Sequence, residues 1–414
     1  MNEVEVRYFV NESAEYDVGL EVKIGEKKNI IEVHLPIGYS KEEISKQNIK
    51  NLLKLVSKQQ NRDIEKNKKQ NIFPVLIAEK IIQNFLRYGL YKEREEVVDL
   101  KSKGKINWKK TINYTQPFLK NKIIYANIFR KHTNYFVEGQ IQEIQKWCLS
   151  YISKVIGIFF SFKYPDVKLN YGKKQMISIL EKALAQTNQD EQLETLRLLK
   201  DFIKKVNFLE VEEKHTGIKS SRFEYVWQDL IDIVGIEDKY KYLPQAQYYN
   251  LDGEPFNYTV KPLLPDTIVE REDGKIYVLD AKYYRIGHLP DQYNIFKQVR
   301  YGEYVNVVSG KKDIINAFIL PGNLGKNNII VKGYAKLNKS KTDNTYEKIM
   351  VCYVDTKSLI EEPEVVMEKV LKELDVITSL WKMWDEYTKI NNGDKNRYIN
   401  YKKKLQVNIT IKDK

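Results

Sequence analysis

The segments Leu264–Val269 (LPDTIV) and Ile276–Lys282 (IYVLDAK) carry the clearest fold signal in this chain. Both are rich in apolar and β-branched residues, and residues 270–275 are placed to turn one strand into the next. The residues before Asp280 are all apolar, which is typical of a strand that is buried on both faces. Side chains alternate along a strand, so Asp280 and Lys282 share one face. The two segments therefore predict paired strands that carry charged groups at one end.

Charged groups at the end of a buried strand need compensation, because an ionised side chain is costly to bury unless it is paired or binds a metal. Asp266 comes from the neighbouring strand and forms, with Asp280, a candidate cation site beside Lys282. Hard divalent ions such as Mg²⁺ bind carboxylate oxygens and keep several waters. Such a site suits phosphodiester hydrolysis, with Lys282 acting on the attacking water or on the phosphate. The alternative is a structural salt bridge between Asp280 and Lys282.

The charge balance indicates a polyanionic partner. The 414 residues include 69 Lys and Arg against 56 Asp and Glu, a net charge of +13, which favours nucleic acid as that partner. A membrane is the competing polyanion, but the most apolar stretch, residues 152–162, is too short to span a bilayer. Cys148 and Cys352 lie in apolar contexts without metal-ligand spacing. We therefore expect a cytoplasmic protein with two buried free thiols and no membrane association.

The hydropathy pattern predicts an α+β multidomain protein. We expect a small β-rich unit with a basic helix at 1–72, a mainly helical middle domain at 73–210, an α/β domain at 211–390 and a basic tail at 391–414. Ser40 and Glu43 form a capping box that predicts the start of the basic helix. Strand-like runs are expected at 240–250 and, after a helix at 291–307, at 313–320, 328–336 and 348–354.

Two groups of residues are candidates for DNA contact. Four lysines recur every four residues and would form one face of a helix opposite its apolar stripe: Lys46, Lys50, Lys54 and Lys58. Phosphate contact is the functional interpretation, and a solvated helix face is the alternative. Tyr284 and Arg285 follow the candidate catalytic strand and combine a stacking with a phosphate-binding side chain.

These residues resemble a known family. Pro265-Asp266 followed by Asp280-Ala281-Lys282 resembles the PD-(D/E)xK nuclease signature. The segment Asp291–Tyr301, with Gln298, resembles the helix after the active-site strand in restriction nucleases of the McrC and LlaJI type. Phe223–Trp227 resembles the helix that opens their nuclease domain, and Gly104–Ile112 resembles a stretch of their amino-terminal half.

The resemblance implies a Mg²⁺-dependent DNA endonuclease, the nuclease subunit of a restriction system that defends against phage. It implies a PD-(D/E)xK domain with a mixed sheet flanked by helices, and an McrB-like NTPase subunit as partner, with an oligomer possible. Asp266 and Asp280 would hold the metal, and Lys282 would act in catalysis. Glu224 resembles a helical acidic residue that some of these nucleases aim at the metal, although a capping box with Ser221 explains it locally. Gln298 would position water or phosphate, with a solvent-facing position as the alternative.

Two other functions fit the same residues. A PD-(D/E)xK nuclease of transposition or DNA repair would share Asp266, Asp280 and Lys282 but act without an NTPase subunit. A noncatalytic DNA-binding scaffold protein would keep the basic surface and would not need the three charged residues.

Overall fold

The structure is a computed structural model, and it describes most of the chain. The described residues are 3–24, 28–42, 44–65, 73–100, 103–119, 122–136, 139–206, 215–220, 222–243, 247–255, 263–311, 313–325, 328–337 and 344–390. The expected basic tail at 391–414 lies outside them. None of the helices in these ranges combines the length and the apolar content that crossing a bilayer requires.

Strands and helices occur throughout the described part of the chain. The strands are β1 (Glu3–Val10), β2 (Val18–Ile24), β3 (Lys28–Leu35), β4 (Glu93–Asp99), β5 (Lys105–Ile106), β6 (Pro117–Leu119), β7 (Ile123–Tyr125), β8 (Arg130–Phe136), β9 (His215–Ser220), β10 (Thr267–Glu270), β11 (Ile276–Ala281), β12 (Ile314–Gly322), β13 (Ile329–Ala335) and β14 (Ile349–Asp355). The helices are α1 (Lys46–Glu65), α2 (Val75–Tyr88), α3 (Trp108–Tyr114), α4 (Gln140–Val155), α5 (Gly157–Phe160), α6 (Lys173–Gln186), α7 (Asp190–Lys205), α8 (Phe223–Ile231), α9 (Gln292–Ser309), α10 (Thr356–Glu361) and α11 (Pro363–Ile390). The predicted α+β class is confirmed.

The described residues divide into two compact units. The described residues from 71 to 216 form one unit. The described residues from 3 to 70 and from 217 onward form the other. The sequence-based division differs here, because it treats residues 1–72 as a unit of their own. Hydrogen bonds explain the grouping: the backbone N–H of Ile37 donates to the Tyr283 hydroxyl at 2.8 Å, and the Thr356 hydroxyl donates to the Ile37 carbonyl at 2.8 Å. The segment around Ile37 is thus tied to the carboxyl-terminal half.

The amino-terminal strands of this second unit belong to a four-stranded sheet in the order β1-β3-β2-β9. β3 pairs parallel with β1 on one side and antiparallel with β2 on the other. Along β3 the buried side chains alternate, with Ile31, Val33 and Leu35 facing the core. This period of two is what the sequence pattern predicts for these strands.

Helix α1 begins later than the Ser40–Glu43 capping box predicts. It starts at Lys46, and the hydroxyl of Ser45 accepts a hydrogen bond of 3.1 Å from the N–H of Asn48. Ser45 therefore caps the helix, while Glu43 lies outside the described residues. The predicted apolar stripe is confirmed, since Ile49, Leu52, Leu53 and Val56 are completely buried.

The central sheet of this unit has five strands in the order β10-β11-β12-β14-β13. β11, β12 and β14 are parallel, and the edge strands β10 and β13 run antiparallel to their neighbours. Ile276 and Val278 of β11 pack in one core cluster with Tyr301 and Val305 of α9. From the opposite face of β11, the Tyr277 hydroxyl donates to Asp375 of α11 at 2.6 Å. Helices therefore cover both faces of a mixed sheet.

The strand-like run expected at 240–250 is wrong at its start. Residues 239–242 form a 3₁₀ helix, because the side chain of Asp238 accepts a hydrogen bond of 3.0 Å from the N–H of Tyr240. Asp and Asn side chains of this kind favour turns over strands. The later strands and the helix predicted at 291–307 are confirmed.

The unit between 71 and 216 contains the expected helices α4, α6 and α7. It also contains a three-stranded sheet in the order β4-β8-β5 and a two-stranded hairpin of β6 and β7. The rings of Phe73 and Phe202 pack edge to face, 5.7 Å apart, in its core. Cys148 of this unit and Cys352 of the other are free and buried, as predicted, and burial raises the pKa of both thiols.

Candidate active site

Asp266 is fixed at the end of β11 by the backbone. Its Oδ2 atom accepts a hydrogen bond of 2.7 Å from the N–H of Ala281. Thr267 of β10 pairs with Leu279 of β11, and one residue further along this antiparallel register Asp266 lies opposite Asp280. Pro265, which precedes it, is buried. The structure therefore brings together the two aspartates that the sequence predicts as a pair.

Asp280 lies in the interior. Its side chain is 1% exposed, and the ammonium of Lys282, 11% exposed, lies 2.5 Å from its Oδ2 atom. Neither oxygen of this carboxylate has a partner with hydrogen-bond geometry among the described residues. The charge of the Lys282 ammonium offsets part of the cost of burial, but buried acceptors are normally hydrogen-bonded as well. Asp280 thus keeps hydrogen-bonding capacity that the described residues do not use.

The pKa of Asp266 is perturbed at this site. Burial, followed by the negative charge of Asp280, raises the pKa of Asp266 to about 6, while the hydrogen bond from Ala281 opposes this effect. Two carboxylates that share one site repel each other when both are ionised, and a bound cation removes that repulsion. Perturbed groups of this kind occur often at functional sites.

Lys297 is a second lysine at this site and was not predicted from the sequence. It lies on α9, its side chain is 24% exposed, and its ammonium is 3.8 Å from Oδ1 of Asp280. It also lies over the Tyr301 ring, 5.5 Å from the centroid. The only sequence signal for Lys297 is its position directly before Gln298. That position indicates the site only once α9 is known to pack on β11.

Gln298 is completely buried, so the solvent-facing alternative is wrong. Its Nε2 atom donates a hydrogen bond of 2.8 Å to the carbonyl of Val278 on β11. Its Oε1 atom has no hydrogen-bond partner among the described residues. In this geometry Gln298 docks α9 against the strand that carries Asp280, and its predicted role toward water or phosphate stays a prediction.

Glu224 lies apart from the two aspartates. Its side chain is 43% exposed, in the first turn of α8, and its ion pair is with Arg222 at 3.8 Å. Among the described residues, Glu224, Asp266 and Asp280 do not form a group whose ligand atoms lie within 4.8 Å of one another. The capping partner proposed for Glu224, Ser221, lies outside the described residues. The structure therefore does not bring Glu224 together with Asp266 and Asp280, and its role as a metal ligand stays a prediction.

The residues predicted to contact DNA are distributed over α1 and the loop after β11. Lys46 and Lys58 are exposed, and Lys50 and Lys54 are partly buried, on the face of α1 opposite its apolar stripe. Tyr284 is partly buried and Arg285 is exposed. The neighbouring Tyr283 is buried instead, where its ring packs against Phe223 at 5.2 Å. The basic helix face is therefore present as predicted, while its contact with DNA stays a prediction.

The residues of this site fit a divalent cation. Asp266 and Asp280 supply carboxylate oxygens, the donors that Mg²⁺ prefers, and the Asp280 oxygens lack hydrogen-bond donors among the described residues. Lys282 is too close to Asp280 for a cation to be added without some rearrangement of that ion pair. Asp266 and Asp280 are thus the candidate metal ligands, with Lys282 and Lys297 beside them.

Comparisons with known proteins relate this chain to restriction proteins. The chain is 24% identical over 266 residues to the type II restriction enzyme BsuMI component YdjA of Bacillus subtilis (strain 168), a match that covers 59% of this chain and 57% of that protein. The match therefore spans little more than half the length of this curated relative. A solved structure of Thermococcus gammatolerans McrB AAA+ hexamers with bound McrC matches with a TM-score of 0.40 and 12% identity over 86% of this chain and 82% of the matched chain. The LlaJI restriction endonuclease family matches residues 28–356, most of the chain, and the protein belongs to that family.

Proposed function

We propose that this protein is a Mg²⁺-dependent DNA endonuclease, the nuclease subunit of a restriction system that defends against phage. The observation that carries the proposal is the hydrogen bond from Ala281 that holds Asp266 beside the buried Asp280 and Lys282. Membership of the LlaJI restriction endonuclease family supports the same conclusion. We assign the five-stranded sheet, with its covering helices, to the PD-(D/E)xK nuclease class.

In this proposal Asp266 and Asp280 hold the Mg²⁺ ion. When bound, the ion lowers the pKa of a coordinated water and offsets negative charge on the phosphate. The pKa of Asp266 is raised first by burial and then by the charge of Asp280, and a cation bound between the two carboxylates would favour the ionised form of both. The Ala281 N–H orients the Asp266 carboxylate, and the packing of β11 between helices orients Asp280.

Of the two lysines beside the aspartates, Lys282 has the catalytic role. Its ammonium shares the strand face of Asp280 and carries a positive charge next to the carboxylates. In that position it orients the attacking water or stabilises negative charge that develops on the phosphate. Gln298 and α9 hold the strand that carries both residues in place.

The substrate in this proposal is double-stranded DNA. The net charge of +13 supports a polyanionic substrate, and the exposed Lys46, Lys58 and Arg285 supply cations for phosphate contacts. Tyr284 lies beside them in the loop that leaves the catalytic strand. We place the protein in the cytoplasm, where its two buried thiols stay reduced.

We further propose that the protein acts as one component of a larger restriction enzyme. The B. subtilis relative is named a component of a type II restriction enzyme, which supports a multisubunit organisation. Asp291–Tyr301 and Gly104–Ile112 resemble segments of McrC-type nucleases, so we expect an McrB-like NTPase as the partner. Such a complex is compatible with self-association of this chain.

Incubation of the purified chain with plasmid DNA tests the proposal. The reactions contain Mg²⁺ or EDTA, with and without a nucleoside triphosphate and the product of the neighbouring gene. We expect cleavage with Mg²⁺ and none with EDTA. Cleavage that is unchanged in EDTA would refute the metal-dependent mechanism, and no cleavage under any combination would refute the nuclease.

A further inference from the structure

One carboxylate at this site lies between two ammonium groups. The Lys282 ammonium is 2.5 Å from Oδ2 of Asp280, and the Lys297 ammonium is 3.8 Å from Oδ1. Each oxygen of Asp280 thus has its own cation. Lys282 directly follows β11 and Lys297 lies on α9, so the arrangement depends on the docking of α9 against the sheet.

The two lysines are held with different strength. Lys282 is within hydrogen-bonding distance of the carboxylate, whereas the distance from Lys297 is longer than that of a hydrogen bond. The Lys297 side chain is also the more exposed of the two, at 24% against 11%. The Tyr301 ring, with its centroid 5.5 Å from the Lys297 ammonium, helps to hold that ammonium near the site. Lys297 is therefore the cation that leaves Asp280 more easily.

A divalent cation at Asp280 changes this balance. An ammonium and a divalent ion next to the same carboxylate oxygen repel each other strongly in a buried site. The lysine ammonium is a point charge on a flexible stem of four carbons, so it can move several ångströms without a change in the backbone. When a cation at the site displaces the Lys297 ammonium from Asp280, that ammonium would pair with a phosphate of the bound DNA.

We propose, on the basis of the nuclease function above, that Lys297 is a DNA-contacting residue of the active site. It balances the charge of Asp280 while the site holds no cation, and it contacts the phosphodiester of the substrate when a cation takes its place. The greater exposure of the Lys297 side chain and its longer ion pair with Asp280 carry this assignment.

Binding measurements in Ca²⁺ test the role of Lys297 apart from the rate of cleavage. Ca²⁺ is used because it binds carboxylate sites as Mg²⁺ does. The variants are Lys297→Met, Lys297→Arg and Arg300→Gln; the last removes an exposed cation from the same helix, one that pairs with Glu303 rather than Asp280. Melting temperatures establish that each variant is folded. Calorimetry then measures Ca²⁺ affinity without DNA, and titration measures duplex DNA affinity in Ca²⁺ at several salt concentrations.

We expect Lys297→Met to bind Ca²⁺ several-fold more tightly than the parent, because the competing ammonium is gone. Its DNA affinity should fall, and the slope of log affinity against log salt should become less negative by about 1. Lys297→Arg should keep the parental slope, and Arg300→Gln should keep both the Ca²⁺ affinity and the DNA affinity.

Parental Ca²⁺ and DNA binding by Lys297→Met would overturn the inference, and so would an equal loss of DNA affinity in Arg300→Gln. In either case cleavage by the parent in Mg²⁺ would leave the proposed function standing. A parent protein that binds no Ca²⁺ and cuts no DNA would refute the proposed function itself, and the inference with it.

Discussion

The backbone N–H of Ala281 donates a hydrogen bond of 2.7 Å to Oδ2 of Asp266. Asp266 precedes β10 and Ala281 ends β11, so this bond joins the two strands at the point where both carry an acidic residue. The carboxylate of Asp266 cannot turn away from Asp280 without losing that bond. The burial of Asp266 and its repulsion with Asp280 are therefore both built into the folded state, and together they have a measurable effect on stability.

Asp266→Asn should stabilise the metal-free protein at neutral pH and leave its stability unchanged near pH 4. The folded-state pKa of Asp266 is raised from 3.8 to about 6, so between these values the folded chain holds a proton that the unfolded chain has lost. The free energy of unfolding of the parent therefore falls as pH rises through this window, by up to about 3 kcal/mol. Asn does not ionise, and its side-chain oxygen can still accept from Ala281. Urea unfolding in EDTA across this pH range measures the difference, and parallel pH profiles of parent and variant would contradict it.

Lys282 and Asp280 should show strong energetic coupling. Their ion pair is buried, so Lys282→Met leaves a buried carboxylate with only the longer contact to Lys297. We expect Lys282→Met to lower the free energy of unfolding by about 3 kcal/mol, the lower end of the range for breaking a buried ion pair. The double variant with Asp280→Asn should lose less than the sum of the single variants, by about 1 to 3 kcal/mol.

Urea unfolding of the four proteins in this double-mutant cycle measures the coupling. Purely additive losses would show that the Asp280–Lys282 contact carries no interaction energy. Lys282→Arg keeps the charge and should remain folded, so it separates catalysis from stability. We expect its cleavage rate to fall by about 10²-fold, because a planar guanidinium does not replace a point charge at a closely packed site.

The exposed lysines of α1 should contribute to DNA affinity. Lys46 and Lys58 are exposed on the face opposite the apolar stripe of that helix. If both contact phosphates, their double replacement by Gln should make the slope of log affinity against log salt less negative by about 0.9 per contact. Lys369 and Lys372 of α11, also exposed, provide a matched control with the same charge change. Equal effects of the two double variants would assign the loss to net charge and remove α1 from the DNA interface.

The residues at the ends of β10 and β11 could be predicted from sequence because their signal is local. An apolar run that ends in Asp280 and Lys282, a turn and a preceding Asp266 specify two adjacent strands without further knowledge of the fold. The alternation of side chains along a strand then assigns the shared face correctly. The burial of Ile276–Asp280 follows from the same pattern.

The rest of the site depends on contacts between distant parts of the chain. Lys297 reaches Asp280 only because α9 packs on one face of β11, and no short pattern encodes that docking. The burial of Gln298 and its bond to Val278 have the same origin. The joining of the Ile37 segment to Tyr283 and Thr356 likewise depends on hydrogen bonds across more than 240 positions. Local periodicity predicts elements, whereas these contacts are set by tertiary packing.

Cleavage of plasmid DNA by Asp266→Asn beside the parent tests the central claim most directly. Both proteins are assayed in Mg²⁺ under the conditions in which the parent cuts, with Lys369→Gln as a surface control. Since Asn keeps the bond to Ala281 but supplies no ionised ligand, we predict a folded variant without detectable cleavage and a control that cuts at the parental rate. A folded Asp266→Asn protein that cuts as fast as the parent would show that this pair of aspartates is not the catalytic centre.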